Sequence, residues 1–146
     1  MILCIGIGNS LRGDDGAAHR VLELIEACDH MSLRHVLQLT PELAAEIGAA
    51  QAVIFIDADP RCQKPHLEPI APRPHRGAPL SHAMTPAELV WLANSLYGFA
   101  NPAFLCRVPA VSFDGGQQLS PASEAGARSA AELVHRFTPV PLSPGN

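Results

Sequence analysis

The segment ILCIGIGNSLRGDDG, residues 2–16, places two adjacent carboxylates, Asp14 and Asp15, at the end of a glycine-rich turn that follows an apolar run. Turns of this shape ordinarily cradle anions with their backbone N–H groups, and paired carboxylates repel anions. The charge favours a cation instead. One acid is enough to cap the helix expected here and face its positive end, and Asp14 is assigned that role. Asp15 is then left over at the carboxyl end of a central strand, in the crevice where α/β folds bind ligands. Asp57 closes the apolar stretch AVIFID (52–57) and is directed at the same crevice by the same rule. His82, in PLSHAMTPAEL, comes at the end of a proline-rich loop, just before a capped helix. Two carboxylates and one imidazole form a mixed oxygen and nitrogen set. Such a set suits a divalent first-row metal such as nickel or zinc, with coordination positions left open.

Competing chemistries fail on the letters. Gly6 and Gly8 match the first two glycines of the dinucleotide fingerprint GxGxxG, but Leu11 takes the third place and no acid ends a second strand near Leu39. Gly8 to Gly13 has the P-loop spacing, yet Asp14 and Asp15 stand where that loop carries Lys and Ser or Thr. No Ser/His/Asp order, reactive-cysteine signature or HExxH helix offers another route to peptide hydrolysis. FDGG (113–116) resembles an aspartic-protease turn, but Asp114 lacks the Thr or Ser expected after it. The other histidines take ordinary positions: His19 and His135 within helices, His30 and His35 flanking a turn, His66 and His75 in the proline-rich loop.

A formal charge of −4 over 146 residues provides no field for nucleic acid or an anionic membrane, so neither is an expected partner. The largest basic group, Arg61, Lys64, Arg73 and Arg76, is spread among prolines and reads as a solvated loop. The four cysteines stand 24, 34 and 44 residues apart, without a CxxC pair. Cys4 and Cys106 lie in apolar runs and read as small core residues, while Cys62 in RCQKP is expected at the surface. The start MILCIGIGNS lacks the basic region and length of a signal peptide, and no apolar run approaches a membrane span. The expected location is the cytoplasm.

These residues need elements to position them. Residues 2–7 read as a strand buried on both faces, followed from Asp15 to about Asp29 by a helix with Ala18, Val21, Leu22, Ile25 and Cys28 on one stripe. LRHVLQL (33–39) reads as a second strand, AVIFID as the clearest central one, and FLCRVPAV (104–111) as another, with Pro109 at an edge or a strand end. HLEPI, around 67–70, is a weaker candidate. Three helices start with a hydroxyl followed by proline: Thr40-Pro41, Thr85-Pro86 and Ser120-Pro121. The second adds Glu88 to make a capping box. Behind it run Leu89, Val90, Leu92, Ala93 and Leu96; behind the third, Ala127, Ala130, Ala131, Val134 and Phe137. Alternating strands and helices predict a single three-layer α/β domain. Its sheet is mostly parallel and twisted, of about five strands, with helices on both faces.

The same segments carry a family resemblance. GIGNSLRGDDG is similar to the GxGNxLxxDDG signature of the hydrogenase maturation proteases, the endopeptidases that trim the large subunit of nickel-iron hydrogenases. FIDAD resembles the family's strand-ending (V/I)DA, LSHAM its histidine segment before a helix, and GGQQLSPA its late G-x-x-LSP stretch. The resemblance implies a maturation protease-like domain over 1–138, with 139–146 expected as a disordered tail. It implies Asp15, Asp57 and His82 as metal-binding and catalytic residues, where the first acid is often glutamate in the family. It further implies nickel supplied by the substrate, with zinc or cadmium able to substitute in vitro, and a hydrogenase large-subunit precursor carrying nickel as partner. A monomer is the favoured state. Gln38-Leu39-Thr40-Pro41 replaces the family's DGG-type turn, in a loop associated with substrate recognition. That departure leaves an alternative open: a nickel-binding or chaperone-like module of the same fold without peptidase activity.

Overall fold

The computed structural model describes residues 1–9, 11, 13–75, 83–111 and 118–137. Strand β1 (Ile2–Ile7) leads through a 3-10 turn (Gly13–Gly16) into helix α1 (Ala17–Ile25). Then follow β2 (Met31–Val36), α2 (Leu43–Gly48), β3 (Ala52–Asp59), β4 (His66–Pro69), α3 (Pro86–Tyr97), β5 (Ala103–Pro109) and α4 (Pro121–Arg136). The sheet order is β2-β1-β3-β5-β4. Only β4, at the edge, runs antiparallel.

This order reflects how the strands are clothed. Successive residues of a strand face opposite sides, and both sides here are apolar. Ile2, Cys4, Ile54, Ile56, Cys106 and Val108 pack under α1 and α4. Leu3, Ile5, Val53 and Phe55 pack on the other face, under α2 and α3. Phe55 is fully buried at the centre, where truncation of a large aromatic costs about 3–5 kcal/mol. The chain leaves β1 for β2 over one face and returns from β2 to β3 over the other. The carboxyl ends of β1 and β3 therefore flank the point where the winding reverses, the place such sheets keep for ligands.

The expected fold class is the observed one, with differences in detail. β2 begins at Met31, not Leu33, and ends at Val36, because its partner β1 offers pairing only from Ile2 to Ile7. His35 is thus a strand residue, and His66 belongs to β4. Pro109 ends β5, which lies inside the sheet and not at its edge. Thr40 does not cap α2: the chain is already helical at Glu42, and Leu43 N donates to the Thr40 carbonyl at 3.2 Å. The other two caps form as expected, Thr85 in a full capping box and Ser120 accepting from Ser123 N. Leu96 is 62% exposed, outside the buried stripe of α3. Cys62 is half-buried, its Sγ donating to the Lys64 carbonyl at 2.8 Å. No helix of the described residues is long and apolar enough to cross a membrane. FDGG and 139–146 lie outside the described residues.

Candidate functional site

The turn after β1 is built around one peptide group. Gly8 has φ 142°, a region that favours glycine, and a Cβ there would sit 2.3 Å from the Asp15 carbonyl oxygen. The chain thus folds back on itself so tightly that the backbone at Asp15 lies against Gly8. Asn9 N, the next amide, donates to Asp15 Oδ2 at 2.7 Å, and Leu11 N donates to Asn9 Oδ1 at 2.9 Å. At the other end of the same peptide, His35 Nε2 lies 2.9 Å from the Gly8 carbonyl oxygen. A carbonyl only accepts, so Nε2 carries the proton. His35 therefore orients the peptide whose N–H holds Asp15. Burial, and next the neighbouring His19, hold the His35 imidazole below its usual pKa; the two rings lie 4.5 Å apart.

Asp57 reaches the same rim from β3, where it is paired with Ile7 of β1 and Arg107 of β5. Burial, and then the charge of Asp15, push its carboxyl up to about 6. A backbone bond from Ala58 and the charge of Arg107 offset this only in part, because the Arg107 guanidinium is engaged elsewhere. It donates to Asp59 Oδ2 at 2.7 Å and forms a short ion pair with Glu68. Asp15 and Asp57 thus share the rim as two mutually repelling carboxylates with no ion-pair partner among the described residues, the electrostatic setting that a bound cation relieves.

Asp14 does something other than expected. It lies in the 3-10 turn, whereas the N-cap of α1 is Gly16, with no side-chain cap. Asp14 is 1% exposed, and its carboxylate is bound at the connection between β5 and α4. Asp14 Oδ2 accepts from Val111 N at 2.7 Å and from Ser120 Oγ at 2.9 Å, and Oδ1 accepts from Ser120 N at 2.8 Å. The first acid of the pair therefore ties the turn to the end of β5 and the start of α4, and the second is left for the crevice.

His82 lies outside the described residues. On its near sides, Met84 N donates to the Leu39 carbonyl at 3.2 Å, and His75 Nδ1 lies 2.9 Å from Glu88 Oε2 in the first turn of α3. The Gln38–Pro41 turn and the segment leaving His82 are therefore joined through backbone. Among the described residues, no three His, Cys, Asp or Glu side chains converge as a metal site. The structure brings Asp15 and Asp57 together. Asn9 is a fixed letter of the opening signature, but its role was not read from it; His35 was not legible as a site residue, and only the strand pairing that carries it to Gly8 reveals its part.

Comparison with solved structures yields close architectural likenesses. A hydrogenase 2 maturation peptidase from a Thaumarchaeota archaeon superposes with a TM-score of 0.64 at 21% identity, covering 91% of this chain and 94% of that one. The hydrogenase maturating endopeptidase HybD from E. coli gives 0.65 at 21% identity, covering 91% and 88%. The [NiFe] hydrogenase maturation protease HycI from Thermococcus kodakarensis gives 0.67 at 22%, covering 92% and 89%. No protein-family model and no curated protein matches the sequence. At these identities the likeness is one of fold, and it supports the family resemblance carried by the opening motif. Over some nine-tenths of its length, the chain has the architecture of the hydrogenase maturation proteases.

Proposed function

We propose that this chain is a hydrogenase maturation endopeptidase. It removes the C-terminal extension of a nickel-iron hydrogenase large-subunit precursor, with Asp15, Asp57 and His82 completing the coordination of nickel held in that substrate. One observation carries the reading: two carboxylates with no ion-pair partner among the described residues share the reversal point of a sheet built like those of the maturation peptidases. Oxygen donors of this kind, with an added imidazole nitrogen, fit a divalent first-row ion. Nickel in the substrate would fix the scissile segment and polarise the reacting carbonyl or water. The chain's own part is positional. Asn9 N and the His35-braced peptide hold one Asp15 oxygen, leaving Oδ1 for the ion, and β3 presents Asp57 rigidly from the sheet.

The second reading, a nickel-binding module without peptidase activity, is favoured by the Gln38–Pro41 turn, which is joined to the His82 segment through Leu39 and Met84. One experiment separates the two. Purified protein is incubated with nickel-loaded large-subunit precursor and the mixture is analysed by intact mass. Loss of the C-terminal peptide is expected; a stable complex with a full-length precursor would favour the module.

A further inference from the structure

The four thiols occupy unlike surroundings. Cys4 and Cys106 are fully buried, and burial pushes both up to about 12. Cys62 donates its proton to a backbone carbonyl, and burial raises its pKa. Cys28 differs. It lies half-buried just beyond α1, with its Sγ 2.9 Å from Nδ1 of His135 in the last turn of α4. The same imidazole lines a groove of about 410 Å³ between α1 and α4. Leu24, Ile25 and Ala131 form apolar walls, and Arg128, Arg136 and Glu132 bring charge to them.

A thiol within hydrogen-bond reach of an imidazole is the arrangement that activates sulfur as a nucleophile. Here the imidazole belongs to a groove large enough for a small molecule, where Arg136 and Arg128, the latter also paired with Glu124 at 2.8 Å, stand beside Glu132. We propose that Cys28 and His135 form a modification site, remote from the Asp15–Asp57 rim, at which Cys28 is S-thiolated by a low-molecular-weight disulfide bearing carboxylates. The Cys28 proton passes to His135 Nδ1, and the thiolate attacks one sulfur of the disulfide. The disulfide bond breaks, and the departing thiolate takes the proton back from His135. One mixed disulfide and one free small thiol result, with no other oxidant needed.

The charges facing Cys28 make His135 decisive. Glu26 and Asp29 flank it in sequence, and α1 ends beside it with its negative pole, all of which oppose a thiolate. From α4 come His135 and Arg136, and the His30 ring lies 6.5 Å from that of His135.

The test treats folded protein with glutathione disulfide and, in parallel, with neutral hydroxyethyl disulfide, mapping adducts over time by peptide mass spectrometry. Cys28 is expected to react at least about tenfold faster than Cys62, faster with the charged reagent, and with Cys4 and Cys106 untouched. His135→Gln, checked for an unchanged melting curve, is expected to bring Cys28 down to the rate of Cys62. Equal rates at Cys28 and Cys62 in the wild-type protein would overturn the site whatever the variant does. An unaltered rate in folded His135→Gln would overturn the role of the imidazole, and equal rates with the two reagents would overturn the ligand class.

Discussion

Asp57 and Asp59 stand two residues apart on one strand, and so on one face of it, yet meet opposite electrostatic fates. Asp59 accepts from Arg61 N and pairs with Arg107, and these bonds hold its carboxyl below the ordinary value. Asp57 has a backbone bond from Ala58 but no ion pair among the described residues, and burial and then Asp15 push it up to about 6. The consequence for stability follows from the sign of the shift. A carboxyl at about 6 when folded and 3.8 when unfolded binds its proton more tightly in the folded chain. Its stabilising contribution is full below the unfolded value and is lost as pH rises through the folded one. Discounted for the solvent that still reaches the group, the loss is about 1–2 kcal/mol. Asp57→Asn is therefore expected to melt higher than wild type at about pH 7.5 and to match it near pH 4. Thermal melts of metal-free protein across that range check this. A wild-type curve that shows no decline between those limits, with no gain from Asn, would contradict it.

The turn between β1 and α1 is the element on which the site depends, and its construction explains why neighbouring acids diverge. Asp14 satisfies two backbone N–H groups and a hydroxyl at the β5–α4 connection. Asp15 is gripped by the Asn9 amide. Asp14→Ala is expected to cost about 2–4 kcal/mol in urea denaturation, more than the roughly 1 kcal/mol of a helix cap, because it removes a buried carboxylate that accepts three charge-assisted bonds. Gly8→Ala is expected to be as damaging in the same measurement, since the added methyl meets the Asp15 backbone at 2.3 Å. A loss near 1 kcal/mol in either would show that the turn relaxes freely. Elements with strong local signals were legible in the sequence. The apolar runs of β1 and β3 and the two hydroxyl–proline caps at Thr85 and Ser120 all appear where expected. The failures came where distant pairing overrode local pattern. The limits of β2 follow β1, and Asp14 answers to residues some hundred positions away.

At the scale of the whole molecule, the strand order 2-1-3-5-4 brings residues 15 and 57 to one rim, although 42 positions separate them. That convergence was legible because both acids follow apolar strands of a parallel sheet, and such strands end on the same side. The bracing by His35 was not legible, because a histidine on an edge strand carries no local mark of what it faces across the pairing. In the proposed function Asp15, Asp57 and His82 grip one transition ion. The most direct measurement is a crystal structure of the protein grown with cadmium, read for anomalous scattering. Cadmium is expected at one strong site with Asp15 Oδ1, an Asp57 oxygen and a His82 ring nitrogen as ligands at about 2.0–2.5 Å. An ion bound elsewhere, or one at the carboxylates with His82 directed away from it, would rule this three-ligand site out.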